Sequence, residues 1–374
     1  MGRVIYADNA ATTRMDAEVL EAMKPYFLEE YGNPSQPYTF SRGPRKTVAN
    51  AREIIASCIN AHPEEIYFTS GGTESDNWAV KGISAAKPSS RIITSAIEHK
   101  AVLRSCEAAE KFGCHVTYML PDKSGTVTPE ILASHISGNT ALVSVMLANN
   151  ELGTLQPVKE LCSTAHEHGA LFHTDAVQAM GHIRLDVQEL GIDMLSASAH
   201  KFNGPRGTGF LYIRKGVEIL PYADGGSQES GLRAGTENTP AIVGMAEALR
   251  NNTEHLAQNR AHISGLEELL LQRLNDYRVP YVRNGGINRL PGLLSLSFAD
   301  KDGEAILHRM DLLGICISTG SACNSKSTNI SHVLRAIGLD EALARGTVRI
   351  SLGKYNTPDE VESIASALRK IILR

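Results

Sequence analysis

One lysine of the sequence directly follows an apolar, strand-like run. Lys201 ends the segment Ser-Ala-Ser-Ala-His-Lys at 196–201, which overlaps the predicted strand 194–198, and a turn rich in glycine and proline follows at 202–207. A lysine in such a partly desolvated place loses its proton easily enough to attack an aldehyde and form a Schiff base. Taken alone, such a segment more often holds a solvated loop lysine.

An acidic residue stands at the carboxyl end of another apolar strand. Asp175 follows Phe-His-Thr at 172–174, and ligands of α/β proteins bind at that end of the sheet. A carboxylate there can keep a pyridine nitrogen protonated, which makes the ring an electron sink. A lone aspartate at a strand end is more often a helix cap, but Lys201 lies only two strand units along, so the two residues could cooperate.

A glycine-rich turn, Thr-Ser-Gly-Gly-Thr-Glu-Ser at 69–75, connects a predicted strand to a predicted helix. Backbone amides at a helix N-terminus, together with the hydroxyl of Thr73, can bind a phosphate. Such turns are common, so this signal is weak by itself. His99 follows the next strand and could face a flat ring at the same edge of the sheet, although an isolated histidine is more often structural.

One cysteine lies among small and polar residues. Cys323 belongs to the run Ile-Ser-Thr-Gly-Ser-Ala-Cys-Asn-Ser-Lys-Ser-Thr at 317–328, between a predicted strand and a predicted helix. We expect an exposed thiol there, and Lys326 would favour its thiolate form. The alternative is an incidental loop cysteine. The other five cysteines are predicted to be small buried hydrophobic residues: Cys58, Cys106, Cys114, Cys162 and Cys316.

Short β-rich runs alternate with amphipathic helical stretches through most of the chain. The predicted strands are 66–69, 91–96, 115–120, 141–148, 171–174, 194–198 and 209–213, and the helices between them include 73–86, 99–112, 128–137 and 157–168. This alternation predicts an α/β layered domain with a mostly parallel sheet. Asp16 should begin the first clear helix, with Val19, Leu20, Met23 and Phe27 on one face.

The pattern changes after about residue 238. A long helical stretch, 238–276, precedes strands 292–298, 314–318 and 346–351 and helices 302–313, 329–338 and 358–372, the last with a capping box at Thr357 and Glu360. We therefore predict a large domain at 15–255. A smaller α/β domain would combine 1–14 with 256–374 and carry the loop 319–328.

Composition and charge exclude several classes of protein. The 374 residues have a net charge of only −4, and their basic residues are dispersed, which argues against direct binding of nucleic acid or anionic lipid. No apolar run approaches the ~18 residues of a membrane span. The six cysteines form no Cys-x-x-Cys pair, so neither a disulfide framework nor a metal site is expected. These features predict a cytoplasmic protein.

Taken together, these segments resemble the NifS/IscS-type cysteine desulfurases, in the class V aminotransferase-like group of fold-type I pyridoxal-phosphate enzymes. The resemblance runs nearly end to end. Its motifs are Tyr-Ala-Asp-Asn-Ala-Ala-Thr-Thr at 6–13, Gly-Asn-Pro-Ser at 32–35, Ser-Gly-Gly-Thr-Glu-Ser-Asp-Asn at 70–77, Glu-His-Lys-Ala-Val at 98–102, Asn-Asn-Glu-Leu-Gly at 149–153, His-Thr-Asp at 173–175, Ser-Ala-His-Lys at 198–201, Arg-Ala-Gly-Thr-Glu-Asn at 233–238, Gly-Ser-Ala-Cys at 320–323 and Val-Arg-Ile-Ser at 348–351. The family fold implies a large domain with a mostly parallel seven-stranded sheet and a smaller α/β domain.

The resemblance also implies a role for each matching residue. Lys201 would hold pyridoxal 5′-phosphate covalently and move the substrate's α-proton, and His99 would stack on the ring and assist acid–base steps. Asp175 would pair with the pyridine nitrogen and Gln178 with the phenolic oxygen. The phosphate would be bound by Gly72, Thr73, Ser198, His200 and, from a second subunit of a homodimer, Thr236. Asn150 would contact both cofactor and substrate. Arg349 would bind the substrate carboxylate with help from Asn33.

The implied reaction converts L-cysteine into L-alanine and leaves the sulfur on Cys323 as a persulfide, for delivery to an acceptor protein. In family members the residues after this cysteine are usually small, whereas Asn-Ser-Lys follows here at 324–326. This difference, and the short segment after helix 358–372, leave iron–sulfur assembly as only one of several destinations. The others are tRNA thiolation, thio-cofactor synthesis and DNA sulfur modification.

Several alternatives share the same fold. A selenocysteine lyase and a cysteine-sulfinate desulfinase can act without the cysteine, whereas a small-amino-acid aminotransferase would not need the Gly-Ser-Ala-Cys run at 320–323. A further alternative is a non-catalytic scaffold for sulfur-transfer partners. The presence of Lys201, Asp175 and His99 argues against a scaffold.

Overall fold

A computed structural model describes residues 4–320 and 330–373. Its strands are β1 Ile5–Tyr6, β2 Ile66–Thr69, β3 Arg91–Ser95, β4 His115–Met119, β5 Thr140–Ser144, β6 Leu171–Asp175, β7 Met194–Ser198, β8 Gly209–Ile213, β9 Val282–Arg283, β10 Leu293–Ser297, β11 Ile315–Cys316 and β12 Thr347–Ser351.

The helices are α1 Ala17–Met23, α2 Pro25–Leu28, α3 Arg42–Cys58, α4 Gly72–Ala86, α5 Lys100–Lys111, α6 Pro129–Ala133, α7 Val158–Glu167, α8 Val187–Leu190, α9 Thr239–Glu254, α10 Leu256–Asp276, α11 Gly303–Asp311, α12 His332–Ala336, α13 Glu341–Arg345 and α14 Pro358–Ile372. Short 3₁₀ turns occur at Thr39–Ser41, Pro63–Glu65, Ala199–Lys201 and Gln228–Gly231.

The main sheet has seven strands in the order β2-β8-β7-β6-β5-β3-β4. The pairs β3–β4, β3–β5, β5–β6 and β6–β7 are parallel, and β8 runs antiparallel to both of its neighbours, β2 and β7. The predicted α/β fold with a mostly parallel seven-stranded sheet is therefore confirmed.

Apolar side chains cover both faces of this sheet. Ile93 and Val143 belong to one buried cluster with α3, α7 and α9, whereas their neighbours Ile92 and Leu142 belong to another with α4 and α5. Successive side chains of a strand point to opposite faces, so near-continuous apolar strands require a helical layer on each side. The carboxyl ends of the parallel strands are left open between these layers.

The C-terminal third builds smaller sheets. β10 pairs antiparallel with β12 and β9, and β10 and β12 share a third buried cluster with α10, α11 and α14. The N-terminal segment joins this region, because β1 pairs in parallel with β11 and Ala7 lies in the same cluster. The domain boundaries at 14/15 and 255/256 stay a prediction.

Some predicted elements differ from those observed. The stretch 238–276 is two helices that meet at His255, because α9 packs on α3 and α1 whereas α10 packs on α14. In the first helix Val19 and Met23 are buried, but Leu20 and Phe27 are exposed, since a new helix starts at Pro25. The predicted strand 141–148 ends at Ser144, and helices 128–137 and 329–338 are shorter than predicted.

Candidate active site

A cavity of about 850 Å³ opens where β6 and β7 end and where α4 and α5 begin. Open α/β sheets bind ligands at this carboxyl edge. Ten residues that the sequence analysis singled out line the cavity: Gly72, Thr73, His99, Asn150, Asp175, Gln178, Ser198, His200, Lys201 and Arg349. The fold thus brings together side chains that are up to 277 positions apart in sequence (Gly72 to Arg349).

Lys201 reaches the cavity from the 3₁₀ turn that follows β7. Its Nζ donates hydrogen bonds to the backbone carbonyls of Ala10 and Ala11, the latter at 3.0 Å. The N-terminal segment therefore fixes the position of the amine at one wall of the cavity. Neither alanine was assigned a role from the sequence, because the contact joins residues 191 and 190 positions apart.

Asp175 and His99 lie next to each other at the edge of the sheet. Asp175 is buried and accepts a hydrogen bond from Val177 N at 2.9 Å. Burial raises the pKa of Asp175, while His99 and Lys201 oppose the rise. Burial also lowers the pKa of His99. Its Nδ1 accepts a hydrogen bond from Ala101 N at the start of α5, so a neutral His99 carries its proton on Nε2.

A third acid, Asp76, stands close to this pair. One oxygen or nitrogen atom can be chosen from each of three side chains, those of Asp76, His99 and Asp175, so that the three atoms lie within 4.8 Å of one another. This spacing could also hold a metal ion. However, Lys201 and His200 border the same cavity, and these donors suit an anionic, aromatic ligand better than a cation.

The turn before α4 forms a cradle of backbone amides. Gly71 has φ of 144°, in a region that favours glycine, and a Cβ on Gly72 would fall 2.5 Å from Val177 Cγ2. The first amides of this 15-residue helix have no partner within the helix. Thr73, Ser198 and His200 border the same part of the cavity. Such an arrangement binds a phosphate group.

Arg349 projects from β12 and is almost fully buried. Its Nη2 pairs with Asp8 at 2.8 Å, and its Nη1 donates to the backbone carbonyl of Asn150 at 3.0 Å. Its Nε has no partner among the described residues. A guanidinium that is held on two sides and still has an unpaired donor can bind a carboxylate.

Glu151 is a cavity residue that was not assigned a role from the sequence. It is buried, and its carboxylate accepts a hydrogen bond from Ser331 Oγ at 2.5 Å. A Cβ on Gly320 would fall 2.2 Å from the same carboxylate oxygen. Burial raises the pKa of Glu151 to about 7, against the opposing effects of Ser331 and Arg349.

Three predicted site residues do not line the cavity. Thr236 is exposed, as a residue that serves a second subunit would be. Asn33 is half-buried, and its Oδ1 accepts a hydrogen bond from Ser35 N. Cys323 lies outside the described residues. The roles of all three stay predictions.

The cavity residues fit pyridoxal 5′-phosphate. The cavity is bordered by the amine of Lys201 and by the buried carboxylate of Asp175, whose pKa is raised. It is also bordered by the N-terminus of α4, where Gly71 and Gly72 stand. A protonated ring nitrogen would add a positive charge next to this buried carboxylate and favour its ionised form. Gln178 lies at the same wall, although its Nε2 donates to Ala10 O at 2.8 Å.

Comparison with known proteins agrees with this geometry. The aminotransferase class-V family model matches residues 5–364. The chain belongs to this family. Within it, the chain is 46% identical to a Clostridium botulinum protein named cysteine desulfurase IscS, over 100% of this chain and 95% of that relative. A Methanosarcina thermophila protein of the same name is 44% identical over 99% of this chain and 92% of its own length. The chain is thus a cysteine desulfurase-type member of the class-V family.

Solved structures of class-V proteins share the fold. A structure titled "NIFS-like protein" superposes with a TM-score of 0.93 at 39% identity, covering 99% of this chain and 100% of that one. A structure titled "SspA in complex with cysteine" gives 0.85 at 39% identity over 94% of this chain and 100% of that one. None of the helices within 4–320 and 330–373 is long and apolar enough to span a membrane.

Proposed function

We propose that this chain is a pyridoxal 5′-phosphate-dependent enzyme that converts L-cysteine into L-alanine and takes up the sulfur on Cys323 as a persulfide. The observation that carries the proposal is that Lys201, Asp175, His99 and Arg349 border one cavity. This reaction needs four groups, which these residues would provide in the same order: an amine, a partner for the ring nitrogen, an acid–base group and a group that binds the substrate's carboxylate.

The cofactor would be held by residues on three sides. Lys201 would bind its aldehyde carbon, Asp175 its ring nitrogen and Gln178 its phenolic oxygen, with His99 against the ring. The phosphate group would lie on the amides at Gly72 and on the side chains of Thr73, Ser198 and His200, joined by Thr236 of a second copy. When bound, the cofactor supplies an electron sink for the substrate's α-carbon.

Arg349 and Lys201 have separate roles toward the substrate. The guanidinium of Arg349 binds the α-carboxylate and thereby orients the Cα–H bond. The amine of Lys201 accepts the α-proton and returns it during the later steps. His99, neutral and protonated on Nε2, donates a hydrogen bond into the cavity while Asp175 stays ionised.

Cys323 performs the sulfur transfer. Its thiolate attacks the substrate's sulfur, so that an S–S bond forms while the Cβ–S bond breaks. The carbon keeps the electron pair of that bond and takes up a proton, which gives alanine, and the sulfur is oxidised to the persulfide level. The persulfide then passes to a sulfur-acceptor protein.

The exposed position of Thr236, outside its own cavity, supports a homodimer in which each chain completes the site of the other. We also propose that the enzyme works in the cytoplasm and that residues 15–255 form the cofactor-binding domain. Iron–sulfur assembly is one destination for the sulfur.

The test is release of alanine and sulfide from L-cysteine with a thiol reductant, by wild type and Cys323→Ala. Wild type should form the two products in equal amounts, whereas the variant should keep the visible absorbance of bound cofactor and release neither. Cys316→Ala, seven positions away on β11, is the matched control and should behave as wild type. Sulfide release by Cys323→Ala at the wild-type rate would refute the role of the cysteine.

The same variant separates the alternatives within the fold. Activity of Cys323→Ala on selenocysteine or cysteine sulfinate, without turnover of cysteine by wild type, would indicate a selenocysteine lyase or a desulfinase. Protein that takes up no cofactor at all would indicate a non-catalytic scaffold.

A further inference from the structure

Three acidic side chains are buried together at the cavity, where Asp76 and Asp175 belong to the lining. Asp76 lies in the first turns of α4, Glu98 follows β3 and Asp175 ends β6. None of them is more than 5% exposed. Asp76 and Asp175 are close enough to share a 4.8 Å cluster with His99, and Glu98 interacts electrostatically with both acids.

The ionised forms of these three buried carboxylates disfavour one another, because each negative charge raises the pKa of its neighbours. Asp175 is the one with cationic or polar stabilisation, from His99, Lys201 and Val177 N. Asp76 Oδ1 has no hydrogen-bond partner among the described residues, and His173 Nε2 lies 3.8 Å away from it. Glu98 accepts two hydrogen bonds through Oε1, from Ser95 and Met146 N, but its Oε2 also has no partner. The geometry therefore favours a neutral Asp76 and a neutral Glu98.

His173 does not supply a positive charge to this cluster. It is fully buried, and its nitrogens are hydrogen-bonded to Ser144 Oγ at 2.8 Å and Ser196 Oγ at 3.0 Å. Burial lowers the pKa of His173 to about 3. Burial and Asp175 raise the pKa of Asp76, and the hydroxyl of the same Ser196, which interacts with Asp76, opposes this rise.

Hydrogen bonds thus connect Asp76 through Ser196 and His173 to Ser144. Ser196 and a neutral His173 each offer one donor and one acceptor, so these bonds can run toward either end. A neutral Asp76 corresponds to the order in which Asp76 donates to Ser196, Ser196 to His173 Nε2 and His173 Nδ1–H to Ser144. His173 and Asp175 are both on β6, so the chain is attached to the strand that ends in Asp175.

We propose that Asp76 is a positioning residue of the active site, a neutral acid that keeps Asp175 as the only ionised carboxylate at the ring nitrogen. An ionised Asp76 would repel Asp175 and drive a proton onto it, and a protonated Asp175 could no longer stabilise a cationic ring. The inference rests on the proposed binding of pyridoxal phosphate and adds a residue to which the family resemblance gave no role.

The first test is infrared spectroscopy of the cofactor-loaded enzyme. The carbonyl stretch of a protonated carboxyl group lies above that of a carboxylate and shifts in D₂O. Asp76→Asn should remove one such band, and Glu98→Gln, the matched control, should remove a different one. A spectrum of Asp76→Asn that keeps every protonated-carboxyl band of wild type would overturn the proposal.

The second test measures dissociation of pyridoxal phosphate and the pH titration of its visible absorbance. Asp76→Ala loses the hydrogen bond to Ser196, so cofactor dissociation should be faster by about tenfold. Asp76→Asn keeps a neutral hydrogen-bonding side chain and should restore the rate to within about threefold of wild type. If Asp76→Asn is as impaired as Asp76→Ala, and shifts the titration in the same way, a charge at Asp76 is required and the proposal is wrong.

Failure of this inference is distinct from failure of the proposed function. Wild-type protein that binds no pyridoxal phosphate would refute the proposed function itself. A normally coloured wild type with a defective Asp76→Asn variant would refute the role of Asp76 alone.

Discussion

Two walls of the cavity are built in different ways. The sheet wall consists of Thr73, His99, Asp175, Ser198 and Lys201, which follow strand ends or begin helices of the main sheet. The clamp wall consists of Asn150, Glu151, Ser331 and Arg349, together with Asp8, which pairs with Arg349. Within the clamp wall, Arg349 contacts residues 341 and 199 positions away in sequence.

The electrostatics of the two walls also differ. The sheet wall holds acids and histidines whose charged forms are disfavoured by burial. The clamp wall holds an ion pair between Arg349 and Asp8. In the proposed reaction, proton transfer would belong to the sheet wall, whereas recognition of the substrate's carboxylate would depend on contacts between distant parts of the chain. Substitutions on the sheet wall should consequently change the cofactor spectrum and the turnover rate, whereas substitutions of Arg349 and Asp8 on the clamp wall should change KM.

The largest effect is expected on the sheet wall, from Lys201→Ala. Loss of the amine should abolish the absorbance of covalently held cofactor and lower the rate of alanine formation by at least about 10³-fold. The measurement is the visible spectrum together with turnover. Lys100→Ala, at the other lysine lining the cavity, is the matched control and should keep the absorbance. Full activity of Lys201→Ala would show that the amine is not on the reaction path.

An intermediate effect is expected on the clamp wall, from Arg349→Lys. Lysine cannot bind a carboxylate in a bidentate manner, so KM for cysteine should rise by about 30–100-fold with an unchanged cofactor spectrum. Asp8→Asn keeps the guanidinium but removes its ion pair, and its KM should rise by about tenfold. Steady-state kinetics of both variants will show whether KM rises more for Arg349→Lys than for Asp8→Asn. A changed spectrum with an unchanged KM would place Arg349 on the cofactor instead.

The smallest effect is expected from Glu151→Gln, in stability. Because burial raises the pKa of Glu151 from 4.5 to about 7, the folded state binds this proton more tightly than the unfolded state. Wild type therefore loses stability as pH rises through this range, and the variant does not. Glu151→Gln should be more stable than wild type at about pH 8, by on the order of 1–3 kcal/mol, and nearly equal at about pH 5.

Chemical denaturation at both pH values checks this difference. Glu268→Gln, on the exposed side of α10, is the control, and its difference in stability from wild type should be the same at both pH values. An equal change in stability for Glu151→Gln at both pH values would mean that Glu151 is ionised in the folded protein.

The sheet wall could largely be predicted from the sequence. Apolar strands place Asp175 and Lys201 at their carboxyl ends, and a glycine pair before a helix suits a phosphate. Local patterns thus predicted where these residues lie, whereas their roles depended on the family resemblance. The clamp wall could not be predicted in the same way. Asp8 and Glu151 have no local signature, because their partners, Arg349 and Ser331, lie 341 and 180 positions further along the chain.

The break at His255 was missed for a related reason. The residues from 238 to 276 have helical periodicity throughout, but the two halves pack against different layers of the protein. The break between α9 and α10 is therefore required by tertiary contacts and not by the local sequence pattern.

The pairing of the first strand with the last third of the chain has a consequence during synthesis on the ribosome. β1 must wait for β11, and the bridge of Asp8 to Ser351 must wait for residue 351. The nascent chain therefore carries an incomplete cavity, with the carbonyls that hold Lys201 not yet anchored, through almost all of its translation. During that time the unpaired β1 segment is exposed to chaperones and to aggregation.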